Sequence, residues 1–366
     1  MKGITMMGNT NAGKTCYLYV MAHQMSQQWR KFRFVPQNHK QAIKFKREWL
    51  SMQPSYASDN STIVRKGLWP EGTTESETIQ FNFVYGTKTL ETFSWFDYRG
   101  GILTLANGEA DEEEHERFHA LAQNSACLIF CIPADQLQKS FMGIVDKDLL
   151  NDWNIFTDEL TRFRKETGRK IPIVIAIMKA DLLKKGEFEK AIDFLTRKDA
   201  SKDDGSGPFD ALINEDGWKV MFVGISLGEF GENQDEVDCE TGRKFVTGTW
   251  EPCNVELPVY FAIRLQMLSR LSENAERADS LRSDRDSSRN ALDKENNRTW
   301  LGKKLHKDDR EALERDIDEK KDALNLVDAE RDSLLADLTN IQEELRKAEE
   351  VGAIQVFENG RRLHFQ

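Results

Sequence analysis

The chain has 366 residues, more than a single hydrophobic core usually contains, so we expect one globular domain and a further region. Its 51 Lys and Arg are outnumbered by 62 Asp and Glu, and this acidic balance argues against extended nucleic-acid binding. There is no run of about 18 apolar residues, and the N-terminus enters an apolar strand at once, which predicts a cytoplasmic chain without a transmembrane segment or signal peptide.

The first predicted element is an apolar strand over residues 2–7, followed by a glycine-rich loop and a helix over residues 16–28. The loop reads G-x-x-x-x-G-K-T, and this order of strand, loop and helix is typical of a phosphate-binding loop. The glycines let successive backbone N–H groups face one anion, and the helix N-terminus adds positive partial charge. Lys14 is then expected to reach the β- and γ-phosphates and Thr15 to bind Mg²⁺, whereas the alternative is a glycine-rich turn without a ligand. The residues of this candidate site are Gly8, Asn9, Thr10, Asn11, Ala12, Gly13, Lys14, Thr15 and Cys16.

Residues 29–49 are basic and aromatic. They permit two interpretations, of which the first is a docking surface for a protein, a membrane or a nucleic acid. The second is a strand followed by an amphipathic helix, with the aromatic side chains packed inward and the lysines in solvent. We predict the second.

A polar loop over residues 69–75 precedes two alternating runs, 78–85 and 89–96, which predict an antiparallel pair joined at Gly86-Thr87-Lys88. The second run ends at Asp97, three residues before Gly100. Many P-loop enzymes use such a carboxylate to hold Mg²⁺ through water and such a glycine to sense the γ-phosphate. The pattern D-x-x-G is weak by itself, because any Asp-Gly turn after a strand produces it.

Two later apolar runs also end in polar residues, the first in Met178-Lys179-Ala180-Asp181 and the second in Ile225-Ser226-Leu227. In sequence order, all these stretches resemble the motifs of TRAFAC-class P-loop GTPases: P-loop, switch I threonine, D-x-x-G, N-K-x-D and S-A-x. The resemblance covers about residues 1–265.

The resemblance implies a role for each matching position. Around the phosphates, Lys14 and Thr15 would hold the nucleotide and Mg²⁺, Thr73 or Thr74 would close on the metal as the switch I threonine, and Asp97 and Gly100 would begin switch II. Around the base, Asp181 would accept hydrogen bonds from guanine N1 and N2, Lys179 would lie along the ring, and Ser226 and Leu227 would close over it with backbone N–H groups. The implied catalytic positions are Lys14, Asn11, Thr73, Thr74 and Gly100, and the implied metal ligands are Thr15, Thr73, Thr74 and Asp97.

The chain departs from the family pattern in ways that concern specificity and hydrolysis. Met178 replaces the asparagine of N-K-x-D, so one polar contact to the purine is missing. Gly101 stands where small GTPases place a water-orienting glutamine, so hydrolysis is expected to be slow without a partner. In potassium-activated members, an asparagine at the position of Asn11 helps hold a monovalent cation beside the phosphates, which would make hydrolysis potassium-stimulated. Alternatively, Asn11 only accommodates the backbone conformation of the loop.

The remaining pattern predicts an α/β domain over residues 1–262, in which helices cover a P-loop NTPase sheet that is mainly parallel with one antiparallel edge strand. The ligand is expected at the carboxyl ends of the strands. The predicted helices cover about residues 111–124, 147–167 and 187–195, and they separate strands at 126–132, 171–178 and 219–225.

Residues 263–350 predict a helical coiled-coil arm without proline, in two halves separated by a turn near residues 300–307. The stronger seam lies in the second half, at Leu313, Ile317, Lys320, Leu324, Val327, Arg331, Leu334, Leu338, Ile341, Leu345 and Ala348. The weaker seam lies in the first half, at Leu268, Leu271, Ala275, Ala278, Arg282, Arg285, Arg289 and Leu292. An intramolecular antiparallel hairpin and a dimer through the stronger seam both fit this pattern.

Residues 351–366 form the last predicted region, in which Asn359-Gly360 between alternating runs indicates a β-hairpin. A two-stranded hairpin is marginal alone, so we expect it to pack against another chain or the tip of the coil.

The sequence therefore favours a GTP-hydrolysing switch that uses GTP or GDP and Mg²⁺, and whose nucleotide state controls the coiled-coil arm or its partners. The arm suggests a protein partner or self-association. The alternative is a slow or non-hydrolysing nucleotide-binding scaffold, which Gly101 would favour. An ATPase is the third possibility, although Lys179 and Asp181 have no evident use in one.

Overall fold

The computed structural model divides the chain into two compact units, the first formed by residues 1–262 and 345–366 and the second by residues 263–344. It describes residues 3–8, 12–56, 64–65, 67–70, 77–97, 112–141, 147–196, 207–215, 217–230, 237–238, 243–246, 248–297 and 307–365.

The strands are β1 (Gly3–Gly8), β2 (Phe32–Pro36), β3 (Ser55–Tyr56), β4 (Val64–Arg65), β5 (Gly67–Leu68), β6 (Glu77–Tyr85), β7 (Lys88–Asp97), β8 (Ser125–Pro133), β9 (Ile173–Met178), β10 (Lys219–Phe230), β11 (Phe245–Val246), β12 (Gly248–Cys253), β13 (Ile354–Glu358) and β14 (Arg361–Leu363). The helices are α1 (Lys14–Ser26), α2 (His39–Met52), α3 (Glu112–Asn124), α4 (Ala134–Phe141), α5 (Lys147–Thr167), α6 (Glu187–Thr196), α7 (Asp210–Asn214), α8 (Leu257–Asn296) and α9 (Lys307–Glu350), with a 3₁₀ turn at Ala180–Leu182. The predicted helices of the α/β domain agree with α3, α5 and α6.

One mixed sheet organises the first unit. Among the described residues it has ten strands in the order β14-β13-β10-β9-β8-β1-β7-β6-β2, and β12 pairs with β10 beside this path. The five strands from β10 to β7 are parallel. Every residue of β9 is buried, as expected for a parallel strand covered by helices on both faces. The predicted α/β class with mostly parallel strands is confirmed.

Antiparallel pairing occurs on both sides of this parallel core, so the prediction of one antiparallel edge strand is wrong. On one side, β6 pairs with β7 and β2 pairs with β6. On the other side, β13 pairs with β10 and β14 pairs with β13. The difference arises because the C-terminal strands join the sheet, which strand patterns alone do not reveal.

The basic and aromatic segment folds as the strand β2 and the helix α2. Its large aromatic side chains Phe32, Phe34, Phe45 and Trp49 are buried, and Arg47 and Lys46 lie in solvent. The Asn38 side chain accepts a hydrogen bond from the Lys40 backbone N–H and caps α2. The prediction of inward aromatics and solvated cations is therefore confirmed for these residues.

The C-terminal β-hairpin belongs to the main sheet. Asn359 and Gly360 have positive φ values of 52° and 75°, as a two-residue hairpin turn requires, so the hairpin itself is confirmed. Its first strand pairs with β10 from Lys219↔Glu358 to Val223↔Ile354. The hairpin therefore packs on β10 of the first unit and not on the predicted tip of the coil, and it does not form a region of its own over residues 351–366. Its predicted docking on another chain stays a prediction.

The second unit consists of two helical segments from α8 and α9. The Ser288 hydroxyl donates to Asp316 Oδ2, which also lies 2.6 Å from Lys320 Nζ. Arg282 lies 3.8 Å from Asp328, so contacts earlier in α8 meet later residues of α9 and the segments run antiparallel. These contacts are those of an intramolecular helical hairpin, while the regular packing of a coiled coil stays a prediction.

The seam of α9 faces inward, but the seam predicted for α8 is shifted. Leu324, Val327, Leu334, Leu338 and Ile341 are buried as predicted. Beyond Met267, the buried positions of α8 are Asn274, Ala278 and Ser288. Ala278 is buried as predicted, whereas the predicted seam positions Ala275, Arg282 and Arg289 are exposed. The prediction failed in part because residues 272–290 of α8 contain few apolar side chains, so the packing against α9 determines which face of the helix is buried.

Candidate functional site

The predicted motifs meet at one edge of the sheet, at the carboxyl ends of the parallel strands. Gly8 at the end of β1 is aligned with Cys131 of β8, and Met6 is aligned with Asp97 at the end of β7. Met178 at the end of β9 is aligned with Ile225 of β10. In an open α/β sheet this edge is where ligands bind.

Two glycines set the backbone geometry on both sides of the P-loop. Gly8 has φ 135°, and a Cβ there would lie 2.4 Å from the Cys131 carbonyl oxygen. Gly13 has φ 86° and precedes the first residue of α1. Both conformations disfavour other residues. The loop therefore leaves β1 tightly against β8 and enters a helix N-terminus, whose first N–H groups lack partners within the helix.

Lys14 occupies the position expected of a phosphate-binding lysine. Lys14 is only 8% exposed, and its Nζ donates a hydrogen bond to the Gly8 carbonyl oxygen over 2.8 Å. The ammonium group is thus folded back across the loop from the first turn of α1. Ala12 is buried and Thr15 is half-buried beside it, while Asn9, Thr10 and Asn11 lie outside the described residues.

The structure describes only some of the residues that are predicted to bind Mg²⁺ and to sense the γ-phosphate. The backbone of Asp97 ends β7 next to β1, which is the position that the D-x-x-G pattern requires. Thr73, Thr74, Gly100 and Gly101 lie outside the described residues. Their predicted roles at Mg²⁺ and the γ-phosphate therefore stay predictions.

The base side of the site, formed by Lys179, Asp181, Ser226 and Leu227, contains a direct contact between two motifs. The Ser226 hydroxyl donates to Asp181 Oδ1 over 2.9 Å, and the Gly228 N–H donates to the same hydroxyl over 3.1 Å. This chain of hydrogen bonds fixes one carboxylate oxygen of an exposed Asp181 and leaves the other for a ligand. Leu227, next to Ser226, is 8% exposed.

Lys179 has a positive φ of 59°, between the end of β9 and the 3₁₀ turn. Its Nζ lies 3.4 Å from Asp135 Oδ1 in α4, an ion pair in which both side chains are about two-fifths exposed. Sequence reasoning missed Asp135, since nothing in the pattern after β8 distinguishes it from an ordinary acidic residue in the first turn of a helix.

Met178 connects the base side with the P-loop. It is 1% exposed, and its Cε would lie 3.9 Å from a Cβ placed on Gly13. The position that holds asparagine in the motif pattern is therefore a buried apolar side chain close to the loop.

Cys16, in the first turn of α1, lies within electrostatic reach of this region. Burial raises the pKa of its thiol to about 12, opposed by its backbone hydrogen bond and by the charges of Lys179 and Arg243. The thiol is therefore protonated at neutral pH, which favours a structural role over a nucleophilic one.

Arg243 and an aromatic cluster beside the base side were not predicted. Arg243 Nε donates to the Trp69 carbonyl oxygen over 2.6 Å, and Nη2 lies 3.1 Å from Glu48 of α2. The rings of Trp69, Phe230 and Trp250 have centroids 4.9 to 5.4 Å apart. The contacts hold the residues before the predicted switch I loop against the extension of β10.

That extension corrects the sequence prediction at Ser226. β10 was predicted to end at residue 225, but it continues to Phe230 and pairs with β12. The register is irregular between Ser226 and Gly228, which places a bend at the predicted base-binding residues. The prediction failed because the strand partner lies about twenty residues later in the chain.

Comparisons with known proteins add little at this level of similarity. No protein-family model matches the chain, and no curated protein sequence does. Among solved structures, the chain is similar to the signal recognition particle receptor SRb-GTP/SRX complex from Chaetomium thermophilum, with 13% identity and a TM-score of 0.33. The alignment covers 63% of this chain and 93% of that chain. Among the described residues, no helix is long and apolar enough to cross a membrane.

Proposed function

We propose that this protein is a GTP-binding and GTP-hydrolysing molecular switch. The observation that carries the proposal is the meeting of two motifs at one sheet edge: Lys14 folded across the P-loop, and Asp181 held by Ser226 on the neighbouring strands. Further support comes from the positive φ values of Gly8 and Gly13, which let the chain turn sharply on both sides of the loop. In the proposal, the phosphates lie at this loop and the base lies at Asp181 and Ser226.

In this proposal, Lys14 and the loop N–H groups bind the β- and γ-phosphates. Thr15 and Asp97 hold Mg²⁺ together with Thr73 or Thr74, and the metal offsets the charge on the phosphates. Asp181 accepts two hydrogen bonds from guanine, which adenine cannot donate. Lys179 and Leu227 line the base, and Gly100 senses the γ-phosphate.

The second part of the proposal is that nucleotide state controls the helical arm. Its support is that both roots of the arm attach to β10, the strand that carries Ser226. Just before α8, Asn254 Nδ2 donates to the Gly224 carbonyl oxygen over 2.8 Å, and just after α9, β13 pairs with β10. A change in β10 at Ser226 would therefore act on two segments of the first unit that continue in sequence into α8 and α9.

Replacing Asp181 by alanine should lower the affinity for GTP and GDP by 10- to 100-fold. Two hydrogen bonds to a charged group are lost, each worth roughly 1.5–3 kcal/mol when buried and less near solvent. Calorimetric titration with GTP, GDP and ATP, alongside phosphate release, measures the effect. Asp158→Ala, on the exposed side of α5, is the matched control and should leave every affinity unchanged. Tight ATP binding that Asp181→Ala does not alter would overturn the guanine assignment.

Hydrolysis should be several-fold faster in KCl than in NaCl at equal ionic strength. Asn11 would help hold K⁺ beside the phosphates, where the cation offsets charge that develops during cleavage. Asn11→Ala should abolish the difference between the salts. Equal rates in both salts for the wild-type protein would sink the potassium hypothesis while leaving GTP binding intact.

The alternative is a nucleotide-binding scaffold that hydrolyses slowly or not at all, and it is favoured by Gly101 in place of a water-orienting glutamine. The same titrations separate the two functions. A scaffold would bind GTP through Asp181 but release phosphate at the uncatalysed rate in either salt.

A further inference from the structure

A second candidate site lies away from the nucleotide edge, around the start of β2. A groove of about 530 Å³ is lined there by Gln28, Arg30, Lys31, Arg33, Tyr85 and Gly86. β2 is antiparallel to β6, and β6 is antiparallel to β7, so β2 runs in the same direction as β1. Its first residue, Phe32, therefore lies at the amino edge of the sheet, opposite the P-loop.

The groove combines fixed cations with aromatic rings. Arg33 Nη2 donates to the Gly86 carbonyl oxygen, and Arg30 Nη1 lies 2.8 Å from Glu256 Oε1. Lys31 Nζ lies 5.5 Å from the centre of the Tyr85 ring. The Arg33 guanidinium is thus held in place before any ligand arrives, which lowers the entropic cost of binding an anion. The charge of Arg30 is already paired with Glu256, so Arg30 shapes the groove and does not offer a free charge to a ligand.

Trp29 stands at the rim of this groove. It is 73% exposed, which is unusual for the largest apolar side chain, and the Arg30 guanidinium lies 4.9 Å from the centre of its ring. Exposed tryptophan beside arginine is the combination that dominates binding energy at protein interfaces.

The local charge is opposite to that of the whole protein. Residues 29–49 contain seven Lys and Arg and one Glu, in a chain with a net charge of −11. An acidic partner would be attracted to this region and repelled by the rest of the surface, which gives both a faster encounter and one orientation.

We propose that the groove binds an acidic, extended peptide segment of a protein partner. Carboxylates fit the Arg33 guanidinium, which is already oriented, and the neighbouring Lys31 ammonium, since hydrogen bonds between these cations and carboxylates are charge-assisted. A nucleic acid would meet an acidic protein beyond the patch, and binding to a bilayer is an outcome that the test below distinguishes. The proposal concerns a surface separate from the nucleotide site and does not depend on the proposed function.

The edge of β2 supports an extended ligand. The Gly86 N–H donates to the Lys31 carbonyl oxygen and the Gln37 N–H to the Gln80 carbonyl oxygen, so odd-numbered residues of this segment face β6. The backbone groups of Phe32 and Phe34 then point away from β6, where no strand of the described residues pairs with β2. Pro36 lacks an N–H and limits any added strand to this first half of β2.

Fluorescence anisotropy on the full chain tests the proposal. The probe is a labelled twelve-residue peptide of alternating glutamate and valine with one central tyrosine, compared with the same peptide carrying glutamine for glutamate. We expect the glutamate peptide to bind at least tenfold more tightly, and added salt to weaken it. The double variant Lys31→Glu, Arg33→Glu should lose at least tenfold in affinity, and Trp29→Ala, which removes an exposed side chain, at least threefold.

Arg162→Glu with Lys165→Glu, on the exposed side of α5 and outside residues 29–49, is the matched control with the same change of charge and should bind the peptide within twofold of wild type. Equal binding of the glutamate and glutamine peptides, or equal loss in the control variant, would overturn the proposal. It would also be overturned if phosphatidylserine-containing vesicles or a twelve-nucleotide oligothymidylate bound the wild type and lost binding in the double variant while the peptide did not. If the double variant fails to fold, Trp29→Ala decides the result, and wild-type peptide affinity in that variant refutes the site.

Discussion

Lys14→Ala should reduce the affinity for GTP by at least 100-fold and abolish measurable hydrolysis. The ammonium group is nearly buried and already spans the loop to Gly8, so in the proposed complex it would contact phosphate without reorganisation. Losing its charge-assisted hydrogen bonds to two phosphates removes about 3–4 kcal/mol, which corresponds to a factor of several hundred. Calorimetric titration with GTP and a single-turnover phosphate assay measure both quantities.

Thermal unfolding separates a loss of binding from a loss of folding. Without nucleotide, Lys14→Ala should unfold close to the wild-type temperature, because the net contribution of a hydrogen bond such as that to Gly8 is about 1 kcal/mol. With GTP and Mg²⁺ at 100 times the wild-type Kd, the wild type should gain about 2.7 kcal/mol of stability and the variant almost none. Lys165→Ala, on the exposed side of α5, is the control for removing a lysine. GTP binding within threefold of wild type in Lys14→Ala would contradict the phosphate site.

Val356→Asp should destabilise the first unit by about 3–5 kcal/mol, the cost of leaving a buried charge without a partner. Val356 is 2% exposed and pairs with Met221, in the middle of the segment of β10 that β13 covers. The free energy of unfolding from urea titration, monitored by intrinsic tryptophan fluorescence, measures the effect. Arg362→Asp, on the exposed strand β14, is the control and should change stability by less than about 0.5 kcal/mol.

Deleting residues 353–366 should destabilise the first unit more than Val356→Asp does, because the whole of β13 is lost. The outer edge of β10 from Lys219 to Val223 would lose its partner strand, and an unpaired apolar edge promotes association between chains. We therefore expect aggregates in size-exclusion chromatography at concentrations where the wild type elutes as one species. A truncated chain that stays unaggregated and unfolds at the wild-type urea midpoint would show that β13 contributes no stability to β10.

A milder change beside β10 bears on the switch proposal. If GTP binding changes the arm through β10, Asn254→Ala, which removes the hydrogen bond to Gly224, should leave the affinity for GTP intact and remove the change in the arm that GTP binding causes. The scaffold alternative predicts that Asn254→Ala affects stability alone.

The local features of this protein follow from its sequence. The P-loop, the ends of β7 and β9 near Asp97 and Asp181, and the turn at Asn359-Gly360 each depend on residues within one element and its adjoining loop. Glycine at a positive φ, alternation in a strand and a polar residue after an apolar run all reflect interactions over a few positions. The inward aromatics of β2 and α2 were predictable for the same reason.

Other features depend on residues far apart in the chain. No nearby sequence pattern indicates four of these features: the contact of Arg243 with Trp69, the extension of β10 along β12, the docking of β13, and the face of α8 that is buried. Backbone hydrogen bonds between strands are the same whichever side chains they carry, so sequence patterns identify a strand but not its neighbour. The amphipathic phase of a helix with few apolar residues is likewise set by the surface it packs against. Only the tertiary structure decides these pairings, because each one depends on two distant segments of the chain burying their surfaces against each other.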